Sequence, residues 1–303
     1  MKLEGIAAFA AIAEAGSVSR AARELNVSKS VVSERLKELE RELGAHLVQR
    51  TTRRLTITAE GSVFLERARR ILREAADARS EIAEGRGNLA GALRISAPVS
   101  FGTLHLGRIL YPFLLAHPEI QLTLELDDHF VDVAAGGYDA VIRHGTIADE
   151  RVIVKRLAAS KRYLVASPAY LTKHGVPTSV GDLDRHMAIL YAYRDADWRF
   201  KVRGSAVVVR PARQLRLNNG LIMRDAALAG LGIALLPTWL AGREIARGEL
   251  KVVDVGSPAD NADVFVAYPV GRGSSAKVRA LVEALKAGIG TPPIWDAQAE
   301  RAA

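Results

Sequence analysis

Residues 17–44 read SVSRAARELNVSKSVVSERLKELERELG, and this stretch decides the fold of the N-terminal part. Apolar residues repeat every three to four positions on both sides of Asn26, which is typical of two amphipathic helices joined by a tight turn. Ser17 and Ser28 precede these helices as N-cap residues, and Gly44 ends the second helix. The second helix therefore begins with short polar side chains, as the helix of a helix-turn-helix that enters the DNA major groove does.

The flanking sequence extends this pattern in both directions. Residues 3–15 predict another helix, and residues 47–58 alternate between apolar and polar positions, which indicates a β-hairpin. The hairpin carries three arginines without an acidic neighbour: Arg50, Arg53 and Arg54. These arginines could reach phosphates or an adjacent minor groove. A helical bundle with a solvated arginine cluster remains the alternative at this point, because three amphipathic helices of this size are common in other proteins.

A long helix follows, with Thr58 as its N-cap and one narrow apolar seam that includes Phe64, Ala68 and Ile71. The other faces carry many charges, so this helix is a poor core helix and a good candidate for packing against a copy of itself. Residues 59–87 are therefore predicted to form a linker and dimerisation helix, and the sequence GRGN at 85–88 indicates its end.

The sequence changes character after residue 91, where strands alternate with helices. This order predicts an α/β domain of about 200 residues with largely parallel sheets, long enough for two lobes. Residues 291–303, which contain Pro292 and Pro293, are predicted to form a flexible tail.

Composition limits the chemistry more than it identifies the partner. The chain has 303 residues, no cysteine and a net charge of +8, with a sequence pI of about 9.8. The absence of cysteine excludes disulfides, thiolate nucleophiles and cysteine-ligated metal. Residues 1–90 carry a net charge of +3 and residues 91–303 a net charge of +5. The basic excess is therefore not concentrated in the predicted DNA-binding part, and the case for DNA rests on local placement.

Enzyme, membrane and export functions find little support. The sequence contains no HExxH, GxSxG or P-loop lysine, the GxGxxG pattern is incomplete, and the histidines lack metal-ligand spacing, so we expect no enzyme, cofactor or metal. The longest uncharged run, 226–242, has 17 residues, whereas a spanning helix needs about 20. Glu4 and Glu14 interrupt the apolar N-terminus, which argues against a signal peptide. We therefore expect a cytoplasmic protein without a membrane partner. A solute-binding protein and a DNA-binding protein that has lost its ligand are the rival functions.

Six stretches taken in order resemble the LysR-type transcriptional regulators. Three resemble the N-terminal signature of that family, and three resemble its effector domain: 17–33, 39–44 (LERELG) and 50–56 (RTTRRLT), then 91–98 (GALRISAP), 138–143 (YDAVIR) and 229–237 (AGLGIALLP). Each stretch alone is a weak indication of the family, but the six in this order are specific to it, and the resemblance covers about residues 3–290.

The resemblance implies an α+β multidomain protein. Its parts are a winged helix-turn-helix at 1–58, the linker helix, and a two-lobed α/β effector domain at 91–290 that resembles a type 2 periplasmic binding protein. Lobe I is expected at about 91–160 and 266–290, and lobe II at about 161–265. The family further implies a homodimer that assembles to a homotetramer, double-stranded promoter DNA, a small organic and anionic effector, and contact with RNA polymerase.

The layout of the second helix and the hairpin predicts the DNA-binding residues, and the resemblance matches Ser30 and Ser33 to polar positions of the family. The predicted residues are Ser28, Lys29, Ser30, Ser33, Arg35, Lys37, Arg50, Arg53 and Arg54. Glu34 departs from the family pattern, since a basic or neutral polar residue is usual there. We interpret Glu34 as an ion-pair partner of Lys37 or of a residue near Glu38, and the alternative is that it reads a cytosine amine.

The effector-binding residues lie in the second domain: Ser100, Phe101, Asp128, Arg143, His144, Thr146, Phe200, Asn218 and Asn219. Ser100 follows a strand and precedes a helix N-terminus, which suits an anion. Asn218 and Asn219 precede another helix N-terminus and are expected to act from the opposite lobe. For each residue the alternative is a helix cap or a structural salt bridge, and for Phe200 it is a place in the core.

Overall fold

A computed structural model describes residues 1–50, 55–84, 89–129, 132–133, 137–145, 147–193, 198–202, 204–272 and 275–296. The chain divides into two compact units, Met1–Gly91 and Ala92–Ala303.

The first unit contains four helices and one hairpin among its described residues: α1 (Leu3–Ala15), α2 (Val18–Glu24), α3 (Lys29–Leu43), β1 (Val48–Arg50), β2 (Leu55–Ile57) and α4 (Ala59–Glu84). The predicted helix ends are confirmed by backbone geometry. Gly16 and Gly44 adopt φ values of 62° and 63°, and Asn26 adopts 52°, a left-handed conformation that ends a helix. Ser28 Oγ accepts a hydrogen bond from the Val31 N–H at 3.3 Å, and Thr58 Oγ1 accepts one from the Gly61 N–H at 2.9 Å.

The core of the first unit forms where α1, α2, α3 and the start of α4 meet. Phe9 and Leu39 are buried on facing helices, and Ala68 of α4 has no exposed surface. The Phe9 and Phe64 rings lie 5.7 Å apart between centroids. The first half of α4 therefore serves as a core helix of this unit. Our expectation that α4 is a poor core helix is wrong for that half, because its apolar seam is partly covered within the chain.

The second unit contains two five-stranded sheets and a separate hairpin. The strands are β3 (Gly91–Ala97), β4 (Ile120–Leu126), β5 (Ala140–His144), β6 (Val152–Ala158), β7 (Arg162–Ala166), β8 (Met187–Tyr191), β9 (Arg199–Val202), β10 (Ser205–Val208), β11 (Arg213–Leu217), β12 (Ile233–Pro237), β13 (Lys251–Val252) and β14 (Val264–Pro269). The sheet orders are β4-β3-β5-β14-β6 (sheet I) and β11-β8-β12-β7-β13 (sheet II), and β9 pairs with β10. The α-helices among its described residues are α5 (Val99–Phe101), α6 (Gly107–Ala116), α7 (Pro168–His174), α8 (Gly220–Leu228), α9 (Thr238–Ala246) and α10 (Ala276–Ile289).

The sheets are mixed, and our expectation of largely parallel sheets is wrong in part. Strand β3 pairs parallel with β5, and β8 pairs parallel with both β11 and β12. Strand β14 is antiparallel to β5 and β6, and β7 is antiparallel to β12 and β13. The antiparallel strands β7 and β14 are each the first strand after the chain has passed from one sheet to the other.

The two crossing segments define the boundary between the lobes. The chain leaves sheet I after Ala158 and returns with Val264, which pairs with His144. The Ala262 N–H donates to the Ser160 carbonyl at 3.1 Å, and the Ser160 N–H donates to Asp263 Oδ1 at 3.1 Å, so the two crossings are bonded to each other. Strand β14 begins two residues before the boundary predicted at residue 266, because Val264 already belongs to the ladder of sheet I.

The stretch Val99–Ala116 is one continuous helical path, in which a π-helical segment (Gly102–Leu106) connects α5 and α6. Its length and composition alone would permit it to cross a membrane, and because it contains Arg108 it is not an uncharged run. Phe101 and Leu106 are fully buried in lobe I, and Phe113 is 6% exposed. We therefore treat this stretch as a core helix.

The end of the described chain is packed, whereas the sequence predicted a flexible tail from residue 291. Trp295 is 3% exposed and contacts Phe101 at 5.9 Å between ring centroids. Asp296 accepts a hydrogen bond from the Thr238 hydroxyl at 2.6 Å. The prediction is wrong for 291–296, because a large aromatic residue anchors this segment, and 297–303 lie outside the described residues.

Candidate functional sites

The first turn of α3 presents short polar side chains to solvent. Ser28, Lys29 and Ser30 are exposed, and the Ser28 and Ser30 hydroxyl oxygens lie 2.7 Å apart. One hydroxyl of this pair donates to the other, and the Ser28 oxygen also caps the helix, so the turn is ordered without a bulky side chain. Such a turn permits a close approach to a phosphate or a base edge.

The remaining predicted residues of α3 divide by exposure. Lys37 is exposed, whereas Ser33 and Arg35 are half-buried beside the apolar face of the helix. Glu34 is exposed, and no ion pair joins it to Lys37 or to another cation among the described residues. Our interpretation of Glu34 as an ion-pair partner is therefore wrong, because both side chains extend into solvent.

The hairpin is fixed to α3 through one carboxylate. Glu40 Oε1 accepts hydrogen bonds from the Leu47 N–H at 2.8 Å and from the Val48 N–H at 3.2 Å. Val48 then pairs with Ile57 across the hairpin. The predicted residues Arg53 and Arg54 and the side chain of Arg50 lie outside the described residues.

The second unit holds a cavity of ≈ 240 Å³ between its two lobes. Four predicted effector residues line it: Ser100, Asp128, Arg143 and His144. Phe101, Phe200, Asn218 and Asn219 do not line it, and Thr146 lies outside the described residues.

Residues on opposite lobes bond each other across one side of the cavity. Ser100 Oγ accepts from the Leu221 N–H at 3.2 Å, and Asp128 Oδ2 accepts from Asn219 Nδ2 at 3.1 Å. Asp128 Oδ1 also accepts from the Val99 N–H at 3.0 Å. We call Ser100, Asp128, Asn219 and Leu221 the interlobe clasp. At each helix N-terminus that the sequence suggested for an anion, a main-chain N–H therefore already bonds within the protein, Val99 to Asp128 in the first and Leu221 to Ser100 in the second.

A second chain of hydrogen bonds crosses the lobes at an exposed position. Asp127 Oδ1 accepts from the His129 main-chain N–H at 2.8 Å and lies 2.7 Å from His129 Nδ1. His129 Nε2 lies 2.9 Å from the Tyr193 hydroxyl, which also accepts from Asn218 Nδ2 at 3.1 Å. The bonds from the His129 main chain and imidazole lower the pKa of Asp127. Asn218 thus contacts the cavity residue Tyr193 and does not line the cavity itself.

Arg143 is a half-buried cation of the cavity wall that forms no ion pair among the described residues. It extends from β5, where Nη1 donates to the Ile142 carbonyl at 2.7 Å and Nη2 donates to Ser96 Oγ at 3.0 Å. Its Nε is buried and has no hydrogen-bond partner. Burial lowers the pKa of Arg143, and Asp127 and Asp128 act in the opposite direction.

Two predicted aromatic residues belong to the core instead. Phe101 has no exposed surface and packs edge-on against His144 and Trp239, with centroid distances of 5.3 and 5.4 Å. His144 stacks on Trp239 at 4.7 Å, so Phe101 supports two cavity residues from behind. Phe200 is 1% exposed within the lobe II core beside Trp198, as its alternative interpretation held. Its prediction as a cavity residue is wrong because β9 directs it into that core.

Sequence reasoning missed much of the cavity wall. The missed polar residues of the wall are Asp127, His129, Arg162, Tyr191 and Tyr193. The missed apolar residues are Pro98, Met223, Leu235, Leu236, Pro237, Trp239, Leu240 and Ala262, and Gly220 also lines the cavity. Tyr191 and Pro237 are the last residues of β8 and β12. In open α/β sheets ligands bind at the carboxyl ends of strands, so these positions carried a signal.

Family comparisons cover both units. Residues 3–62 match the family described as "Bacterial regulatory helix-turn-helix protein, lysR family", and residues 86–290 match "LysR substrate binding domain".

Relatives of known name cover nearly the whole chain. The transcriptional regulator PtxR of Pseudomonas aeruginosa is 33% identical over 99% of this chain and 97% of that protein. DmlR of Escherichia coli is 32% identical over 94% of this chain and 93% of that protein. Among solved structures, CrgA, a LysR-type regulator from Neisseria meningitidis, is 29% identical, covers 94% of this chain and 99% of its own, and has a TM-score of 0.58. The full-length Vibrio cholerae virulence activator AphB is 27% identical, covers 94% of this chain and 98% of its own, and has a TM-score of 0.59.

Proposed function

This chain belongs to the LysR family of bacterial transcriptional regulators, and from that premise we propose that a small organic anion in its cavity changes its DNA contacts. It is a DNA-binding regulator with an effector-binding domain and not an enzyme. The observation that carries the proposal is the interlobe clasp, in which residues of both lobes bond each other beside a cavity of ≈ 240 Å³.

The clasp provides a physical route from ligand to conformation. A ligand shifts an equilibrium between two conformations only by the difference between its affinities for them. A ligand between the lobes has such a difference, because it contacts both lobes only when they are closed. An anion that bonds Arg143 from lobe I and packs on Trp239 or Leu240 favours the closed arrangement.

In the first unit, two groups of residues have different roles in DNA binding. Ser28, Lys29 and Ser30 approach the major groove, because they are exposed at the first turn of α3. Lys37 contacts phosphate, together with the wing arginines Arg50, Arg53 and Arg54. Ser33 and Arg35 stand at the edge of this surface, since both are half-buried.

Assembly is proposed to proceed through α4. Val63 is 72% exposed, and Ala75 is half-buried beyond Ile71 and Leu72, which pack against the core of the first unit. A second copy of α4 would cover the apolar positions that this core leaves accessible and give a homodimer, and two dimers a homotetramer. We further propose that the protein acts in the cytoplasm, binds double-stranded promoter DNA and contacts RNA polymerase there.

Equilibrium binding to the DNA beside its own gene tests this function. We expect tighter binding to that DNA than to shuffled DNA of the same composition, and a footprint that changes when a cavity ligand is added. Equal affinity for both DNAs at every salt concentration would contradict sequence-specific binding. A footprint that no cavity ligand alters would support a DNA-binding protein without effector control.

A further inference from the structure

The positive charge of the second unit is concentrated in one segment of the sequence. Residues 199–216 contain six arginines and lysines and no aspartate or glutamate, whereas residues 91–303 together have a net charge of +5. The rest of 91–303 therefore carries a net charge of −1. The proposed function uses none of these six side chains.

Three of the six cations lie on one exposed face of the ribbon that β9 and β10 form. Phe200 is buried in the core of lobe II, and Val209 packs against the same core. Because side chains alternate between the two faces of a strand, Arg199, Lys201 and Arg210 point the other way, and all three are exposed. We call the outer face of this ribbon the basic face; it comprises Arg199, Lys201, Ala206, Val208 and Arg210.

Main-chain hydrogen bonds hold the ribbon in place on its other side. The Lys201 N–H donates to the Pro258 carbonyl at 3.2 Å, and the Asp260 N–H donates to the Arg199 carbonyl at 3.1 Å. The cations of the basic face therefore extend from a fixed backbone, which lowers the entropy that is lost when they bind. An acidic residue lies beside Arg199, but Lys201 and Arg210 form no ion pair among the described residues.

The composition of the basic face favours a nucleic acid over a protein surface. Lys201 pairs with Ala206 across the ribbon, and Arg199 pairs with Val208, which is 39% exposed and is the largest apolar side chain of this face. Protein interfaces are usually centred on aromatic or large apolar anchors, and the basic face has none. Contacts to phosphate need only arginine, lysine and small polar groups, and a two-stranded ribbon is narrow enough for a DNA groove.

We propose that the basic face is a second DNA contact of this chain, in which Lys201 and Arg210 bind phosphates without reading the base sequence. DNA is the polyanion that the first unit already binds, and the covalent link between the units raises its effective concentration at the second. The proposal goes beyond the proposed function, which assigns all DNA contacts to the first unit.

Equilibrium DNA binding by the full-length protein over a range of salt concentrations tests the contact. The variant Lys201→Ala/Arg210→Ala is compared with the parent by fluorescence anisotropy on target DNA and on shuffled DNA of the same length. One phosphate contact contributes about 0.9 to the slope of log affinity against log salt, so the slope should fall by about 1.8 per bound chain. The affinity advantage of the parent should therefore shrink about 10-fold between about 50 and 200 mM salt. The ratio of the affinities for target and shuffled DNA should stay at the parent's value.

Two further variants separate a local contact from net charge and from packing. Arg247→Ala/Lys251→Ala is the matched control, because it removes two exposed cations of the same unit from the end of α9 and from β13. It should keep the salt slope of the parent. Lys201→Arg/Arg210→Lys keeps both charges and should also keep that slope.

Three results would overturn the second contact. They are an unchanged slope in Lys201→Ala/Arg210→Ala, an equal fall in the matched control, and unchanged DNA binding combined with a loss of transcription by purified RNA polymerase. The last result would identify an acidic protein surface as the partner. If the chain fails to distinguish target from shuffled DNA, the proposed function is wrong, whereas a fall in slope confined to Lys201→Ala/Arg210→Ala still supports the second contact.

Discussion

Replacement of Asp128 by alanine should destabilise the second unit by about 3 kcal/mol. The Asp128 carboxylate accepts hydrogen bonds from the Val99 N–H at 3.0 Å and from Asn219 Nδ2 at 3.1 Å. A hydrogen bond to a charged group contributes about 1.5–3 kcal/mol, and the lower value applies here because Asp128 is partly exposed. Two such bonds give about 3 kcal/mol. Asp128→Asn keeps one acceptor oxygen and should lose about half of that.

Urea unfolding followed by tryptophan fluorescence measures this loss selectively. The three tryptophans, Trp198, Trp239 and Trp295, all belong to the second unit. With a slope of about 2–3 kcal/mol per molar urea, the midpoint should fall by about 1 M. Asp254→Ala is the matched control, because Asp254 is exposed and accepts a local bond from the Gly256 N–H at 2.8 Å. If Asp128→Ala loses no more stability than Asp254→Ala, the clasp does not hold the lobes together.

Three further predictions concern DNA contact, the hairpin and the clasp. Ser30→Ala should reduce the difference in affinity between target and shuffled DNA. Lys37→Ala should weaken binding to both DNAs alike and lower the slope of log affinity against log salt by about 0.9. Both are measured by fluorescence anisotropy, and identical effects of the two variants would contradict the assigned roles. Glu40→Ala leaves the Leu47 and Val48 N–H groups without their acceptor, so the free energy of unfolding should fall by about 1–3 kcal/mol. Circular dichroism measures this loss, and an unchanged unfolding transition would show that Glu40 does not fix the hairpin. Ser100→Val should retain DNA binding and lose the effector response, because it removes the Leu221 contact; an unchanged footprint response would remove Ser100 from the mechanism.

Local sequence signals predicted the first unit well, because each of its first three helices ends at a residue whose own backbone conformation stops the helix. Gly16, Asn26 and Gly44 adopt left-handed backbone conformations that other residues avoid, so each helix ends where the sequence indicates. The same reasoning failed for α4, since whether an apolar seam faces a partner copy or the same chain depends on tertiary packing. Ala68 is buried by its own chain, and no periodicity distinguishes these outcomes.

The cavity was harder to predict because its two walls come from distant parts of the sequence. Ser100, Asp128 and Arg143 were identified from lobe I, but the contacts of Ser100 and Asp128 to lobe II depend on closure of the two lobes. Tyr191 is the last residue of a short strand that composition did not reveal. Phe200 shows the opposite error, since an aromatic residue near a predicted cleft is as easily part of the core. The buried Trp295 similarly escaped notice beside two prolines that suggested a tail.

The measurement that most directly tests control of DNA contact by the cleft is a pair of hydroxyl-radical footprints on the DNA beside the gene. The parent protein and Asp128→Ala are compared at saturating concentration, so that the DNA is fully occupied by both even if their affinities differ. Both should protect the same central positions, because Asp128 is remote in sequence from α3, but the outer boundary of protection should change when the clasp is broken. Superimposable footprints would contradict the proposal that the state of the cleft determines how this regulator contacts DNA.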